Sequence, residues 1–247
     1  MCLVCVASGC SRDTPRQDLL TIFAASSLTD VFKDLSDAFG KAYPNLAIRL
    51  NTAGSQTLSV QIENGARASV FASANREHAE RLGKRGLMTR PAFFARNEIV
   101  LIYNKSRLTA FRDPMDVALI ERLVVGLPAS PIGAYTKAIF ERFGRHYGRQ
   151  FLHEWTRRVV SREANVRVLR SKVEMGEADA AFVYLTDAIG RDSLAVYKLP
   201  QAYSTAVEAT ISARINDTIA NQFMAFTQSS EGQAIIKSHG FSVREHQ

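Results

Sequence analysis

The chain has 247 residues, of which 46% are hydrophobic and 22% charged. That length can bury a large core, in one large domain or two small ones, and the composition is that of a soluble globular protein rather than a disordered or fibrous one. Lys and Arg outnumber Asp and Glu by 31 to 24, a formal charge of +7. The excess is spread over helical stretches without interleaved aromatic residues, so it reads as solvated surface and not as a nucleic-acid platform; a weak attraction to acidic headgroups is left open.

The three cysteines, Cys2, Cys5 and Cys10, all precede the first predicted strand. The body of the chain therefore has no disulfide and no thiol nucleophile. Residues 1–19 are read as a targeting segment and spacer. Ala7-Ser8-Gly9-Cys10 is similar to a degenerate lipobox, which would make Cys10 a lipidation site and the mature protein membrane-anchored. An ordinary export signal or a disordered N-terminus is the alternative. No later apolar run approaches the ~20 residues a bilayer span requires.

Thr21 to Ala25 reads as a short buried strand. Ser26 and Ser27 follow, and then Leu28, Val31, Phe32, Leu35 and Phe39 recur at helical spacing. The serines thus stand where a strand ends and a helix begins. Such a position suits a simple N-cap, and it also suits an anion, because the first turn of a helix carries unpaired N–H groups and the positive end of the dipole. Leu46 to Asn51 alternates like a strand, Gly54 and Ser55 follow, and a helix runs on to Asn64 and Gly65: a second junction of the same kind.

Ala68 to Ala72 is a third predicted strand, followed by a helix from Arg76 to about Gly86. Asn97 to Tyr103 is a long apolar strand suited to crossing between domains. A short helix is read at Met115 to Arg122 and a strand at Leu123 to Leu127. The Pro/Gly loop from Pro128 to Tyr135 leads into a predicted helix, Thr136 to Phe143, and places the N–H groups of Ile132, Gly133 and Ala134 near its start. An ordinary loop is the competing reading of this third junction.

His146 to Arg158 is read as one basic helix containing the only tryptophan, Trp155. Ser161 to Asn165 leads into a helix from Val166 to Met175. Ala180 to Tyr184, Leu194 to Leu199 and Ala206 to Ile211 are predicted strands, the last a second crossover. Two helices broken near Ser229 and Ser230 close the chain. Strands alternate with helices throughout, which places the fold in the α/β class with mostly parallel sheets.

Catalytic and metal signatures do not appear. The histidines, His78, His146, His153, His239 and His246, are scattered, with no ligand spacing between them. There is no phosphate-binding loop, dinucleotide fingerprint or nucleophile elbow. Ser27 or Ser55 has no base supplied by a nearby pattern. What remains is a set of neutral donors at strand–helix junctions, the makings of a binding site without catalysis.

Taken together, these junctions resemble the periplasmic molybdate-binding proteins of bacterial ABC importers. The resemblance runs from Leu20 to Phe241. It rests on Phe-Ala-Ala-Ser-Ser-Leu (23–28), Ala-Gly-Ser-Gln-Thr-Leu-Ser-Val-Gln-Ile-Glu (53–63), Val-Phe-Ala-Ser-Ala-Asn (70–75), Pro-Ile-Gly-Ala-Tyr (131–135), Asn-Val-Arg (165–167), Phe-Val-Tyr (182–184) followed by Thr-Asp-Ala, and Gly-Phe (240–241). It implies the two-lobed type II periplasmic-binding-protein fold, each lobe a mostly parallel sheet flanked by helices, with two crossover strands as hinge. Lobe one would comprise residues 20–97 plus 208–247, and lobe two residues 98–207.

The resemblance further implies an oxyanion held by the hydroxyl and N–H of Ser27, the same groups of Ser55, the N–H of Ile132, the N–H of Val166 and the hydroxyl of Tyr184. No metal cation would be bound directly and no cofactor is implied. The implied partner is an ABC importer permease, with no nucleic acid, a monomeric state and a periplasmic or membrane-anchored location. A pocket of donors without an acceptor favours a fully deprotonated dianion, molybdate or tungstate, with sulfate or thiosulfate as the alternative; a protonated phosphate would aim a donor at donors, at ~1–3 kcal/mol each. The chain departs from the family at Ser69 and Asn75, where aspartate is common, and at Ile132, whose bulk is expected to narrow the cleft. Arg167, next to Val166, is read as a surface or supporting arginine rather than an anion ligand.

Overall fold

A computed structural model describes residues 18–243. The expectation for Cys10 lies outside the described residues. In chain order the strands are β1 (Leu19–Ala25), β2 (Ala47–Ala53), β3 (Val70–Ser73), β4 (Ala92–Asn104), β5 (Leu123–Gly126), β6 (Val159–Glu163), β7 (Ala180–Tyr184), β8 (Leu194–Lys198) and β9 (Ala206–Ala213). The α-helices are α1 (Thr29–Ala42), α2 (Ser55–Glu63), α3 (Arg76–Lys84), α4 (Pro131–Tyr147), α5 (Arg149–Thr156), α6 (Val166–Glu174), α7 (Leu185–Ala188), α8 (Thr218–Gln228) and α9 (Ser230–Ser238). Short 3-10 turns cover Ser26–Leu28 and Pro114–Leu119.

The strands run β2-β1-β3-β9-β4-β7-β5-β6, with β8 added alongside β4. Parallel pairing is confined to the two flanks, β2-β1-β3 and β7-β5-β6. Every antiparallel pairing involves β4 or β9. The sheet is therefore mixed, and more antiparallel than the alternation of strands and helices suggested. β4 changes partners along its length: Ala92–Glu98 pairs with β9, and Ile99–Asn104 with β7 and β8.

Hydrophobic burial explains the layers. β3 and β7 are buried at every position, as central strands covered on both faces are. α1 turns Val31, Phe32, Leu35 and Phe39 inward, and Phe32 packs on Phe94 with ring centroids 5.1 Å apart. In the other half Trp155 is fully buried, its ring 5.2 Å from that of Phe143.

Five local expectations need correction. β4 starts at Ala92 rather than Asn97, because a register shift between Phe93 and Ala95 breaks the period-two pattern that marks a strand. α4 starts at Pro131 rather than Thr136 and runs to Tyr147, with Ser130 as N-cap and proline in the first turn. The basic helix from His146 to Arg158 is two helices, since Gly148 at φ 90° ends α4 and opens α5. Val159–Glu163, read as mostly lead-in, is the edge strand β6; its polar and charged residues are those an exposed edge carries. The helix read at Met115 to Arg122 is the 3-10 turn Pro114–Leu119, held by a capping box between Asp113 and Asp116.

Candidate oxyanion site

Four strand–helix junctions and the end of β7 converge on one small cavity. Its walls are Ser26 and Ser27 after β1; Gly54, Ser55 and Gln56 after β2; Ser130, Pro131 and Ile132 before α4; Ala164, Asn165 and Val166 before α6; and Tyr184. Ala25 and Ala74 complete it. All five residues singled out from the sequence, Ser27, Ser55, Ile132, Val166 and Tyr184, line this one space. It is small, with about 210 Å³ of empty space that is partly open to solvent. A larger recess, about 910 Å³, lies between β5, α4 and α5 and includes none of the five.

The helix caps decide which donors are left over. In α4 the Ser130 side chain accepts from the Gly133 N–H at 3.1 Å, and the Ser130 carbonyl accepts from Ala134. Pro131 has no N–H. The N–H of Ile132 is therefore the donor in that turn left without a partner among the described residues. In α6 the Asn165 side chain accepts from both Arg167 (3.1 Å) and Val168 (3.2 Å), and the Asn165 carbonyl accepts from Leu169. The N–H of Val166 is left over in the same way. Both residues are buried, where an unpaired N–H is rare and costly.

Ser55 is not an N-cap. The cap position is Gly54, and the Ser55 Oγ accepts the Ala74 N–H at 3.1 Å. A hydroxyl whose oxygen is held in this way has its own proton free to donate elsewhere. Ser27 sits in the 3-10 turn after β1, whose cap residue Ala25 offers no side-chain bond. The Ser27 hydroxyl has no hydrogen bond within the described residues.

Tyr184 gives the clearest signal. Only 2% of the residue is exposed, and its hydroxyl has no hydrogen-bond partner among the described residues. Burial raises its pKa well above the usual tyrosine value, so the phenol keeps its proton and is a donor. An unsatisfied buried hydroxyl costs ~1–3 kcal/mol, and it is relieved when an acceptor enters the cavity.

No charged side chain lines the cavity among the described residues. Arg167 turns away from it: its Nε donates to the Ser26 carbonyl at 2.8 Å and its guanidinium pairs with Asp30. Asp187, just past Tyr184, is buried and not part of the wall; burial pushes its carboxyl up to about 7, against the pull of Arg170 and Arg167. Neither serine hydroxyl has a base within hydrogen-bond reach among the described residues, so the arrangement can bind and orient but offers no proton acceptor for attack. No group of His, Cys, Asp or Glu among them is placed to hold a metal ion.

Ser69 and Asn75, the departures from the family pattern, stay off the cavity wall. The Ser69 N–H pairs with the Thr21 carbonyl, and Asn75 opens α3. Ile132 is part of the wall, and its Cγ2 packs over Gly126, where any added Cβ would lie 2.7 Å from it. Sequence reasoning placed Ser26 beside Ser27 at the first junction but missed Gln56 and Ser130 as wall residues. The Ser-Pro pair at 130–131, an N-cap with proline in the first turn, was the available signal for Ser130.

The bacterial extracellular solute-binding protein profile matches residues 20–242. The chain belongs to this family. Among relatives, the molybdate-binding protein ModA of Mycobacterium tuberculosis is 30% identical over 234 residues, covering 90% of this chain and 84% of the relative. A putative ABC transporter substrate-binding lipoprotein of Bacillus subtilis, YvgL, is 26% identical over 246 residues, covering 97% and 92%. In three dimensions the solute-binding fold superimposes on the periplasmic molybdate-binding protein of Azotobacter vinelandii with a TM-score of 0.79 at 20% identity, covering 92% of this chain and all of the other. The two-lobed type II architecture is thus that of this solute-binding protein, a transport component.

Proposed function

We propose that this solute-binding protein captures molybdate or tungstate between its lobes and delivers it to an ABC importer. One observation carries the reading: the Tyr184 hydroxyl and the Ile132 and Val166 N–H groups, all buried and all without partners, line the same small uncharged cavity. A dianion leaving water needs several hydrogen bonds in return. Helix-start N–H groups and hydroxyls supply them without a buried counter-charge and its desolvation cost. Ser27 and Ser55 add two hydroxyl donors. The names of the ModA relatives favour molybdate among dianions.

Lobe one is assigned to residues 20–97 plus 208–247 and lobe two to 98–207. The change of β4 from β9 to β7 and β8 after Glu98 supports the first boundary. Donors come from both sides of that boundary, so the ligand favours the closed arrangement, a population shift. The name of the Bacillus subtilis relative supports an extracytoplasmic lipoprotein, with Cys10 as its anchor.

Thermal-shift titration tests the reading, because a ligand that binds only the native state raises the melting temperature by mass action. Molybdate and tungstate should each raise it strongly, sulfate less and phosphate little. A larger shift with sulfate than with molybdate would make this a sulfate receptor, and no shift with any oxyanion would remove the reading.

A further inference from the structure

The cavity wall holds a second device besides its donors. Gly54 has φ −61° and ψ 140°, ordinary extended backbone that any residue adopts. Its backbone therefore does not require glycine. Space does. A Cβ at residue 54 would lie 2.6 Å from the Ala164 carbonyl oxygen and 2.6 Å from the Gln56 amide. That is closer than real contacts allow, and the carbonyl is backbone that cannot swing aside.

Ala164 lies far along the chain, between β6 and α6, directly before the cap of the helix that presents Val166. The Gln56 Nε2 donates to this same carbonyl at 2.7 Å. The turn carrying Ser55 and the turn carrying Val166 thus meet backbone to backbone at residue 54, and one amide ties them. The acceptor is a carbonyl, so the Gln56 amide must face it with its nitrogen. The contact is made of neutral groups and uses neither the Ser55 hydroxyl nor the Val166 N–H.

We propose that Gly54 and Gln56 form the closing latch of the cleft: Gly54 admits the Ala164 carbonyl to close range, and the Gln56 amide holds it there, so that the pair sets how slowly a bound anion is released. This rests on the oxyanion reading of the site. Gln56 is a positioning residue, since it acts through the Ala164 turn. Residue 54 also sets the width at which the two turns stop, and with it the room left for the anion between them. A latch of this kind exists only when the lobes are together, so it slows dissociation and leaves encounter with the open cleft unchanged.

The test measures molybdate association and dissociation rates, the melting temperature without ligand, and the radius of gyration in solution with and without saturating molybdate. Gln56→Ala should raise the dissociation rate about threefold to tenfold, the fold-change of one net hydrogen bond, with the association rate and the ligand-free melting temperature unchanged. Gly54→Ala should lower affinity at least tenfold and reduce the contraction seen on saturation, again with the ligand-free melting temperature held. If wild type binds molybdate and both variants release it at the wild-type rate, the latch is refuted while the site stands. If wild type binds no oxyanion, it is the reading of the site that fails. A Gln56→Ala effect confined to the association rate, or an equal fall in ligand-free stability, would reduce Gln56 to a structural residue and also overturn the proposal.

Discussion

At the scale of the residue, Tyr184 combines a cost and a use in one hydroxyl. Its ring belongs to the core, fully enclosed at the end of β7, while its oxygen has no partner there. Tyr184→Phe removes the oxygen and keeps the ring. The ligand-free protein should be as stable or slightly more so, because an unsatisfied polar atom is gone. Molybdate affinity should fall by about 10- to 100-fold, the worth of a desolvated hydrogen bond to a charged acceptor at ~1.5–3 kcal/mol. Calorimetric titration beside a melting curve checks both halves. A variant that loses stability and keeps affinity would mean that the hydroxyl serves the fold. The same logic separates Ser55 from an ordinary cap: its oxygen is already held by the Ala74 N–H, which leaves its proton for the ligand.

Elements decide what the sequence reveals. The buried strands β3 and β7 and the amphipathic α1 were legible because burial on one or both faces writes itself as an apolar run or a helical period. β6 was largely hidden, since an edge strand needs no such run. The five wall residues were legible through resemblance to a family, and the reason those particular N–H groups matter was not. It depends on Ser130 and Asn165 taking the neighbouring donors, a matter of cap geometry. Gln56 could not have been found from spacing, because its partner lies on a different junction.

Packing of α7 against α6 creates a pH dependence at the same scale. Asp187 is buried beside Arg170 and Arg167, with the Asp30 charge opposing, and its carboxyl is raised from 3.8 to about 7. The folded state therefore holds a proton between those values that the unfolded chain releases. Stability from this group falls as pH rises from about 4 to about 7 and is flat above. Asp187→Asn should remove that slope and raise the melting temperature at pH 8 by about 2–4 °C for each kcal/mol recovered. A melting curve at pH 8 lower than wild type would show instead that the carboxylate is held by its arginine neighbours.

Across the whole molecule, the parallel flanks β2-β1-β3 and β7-β5-β6 aim the C-terminal ends of β1, β2, β5, β6 and β7 at one place. β4 and β9 run antiparallel between the flanks and hold them face to face. The net charge of +7 plays no part in the wall, which contains no charged side chain among the described residues. Recognition in this account is therefore a matter of aligned neutral dipoles and cavity size. The most direct measurement is an anomalous-difference map from a crystal grown with tungstate, where the metal marks its own position. The peak should lie within hydrogen-bonding reach, through the oxygens, of Ser27, Ser55, Ile132, Val166 and Tyr184; a peak elsewhere, or one ringed by lysines and arginines, would contradict recognition by neutral donors.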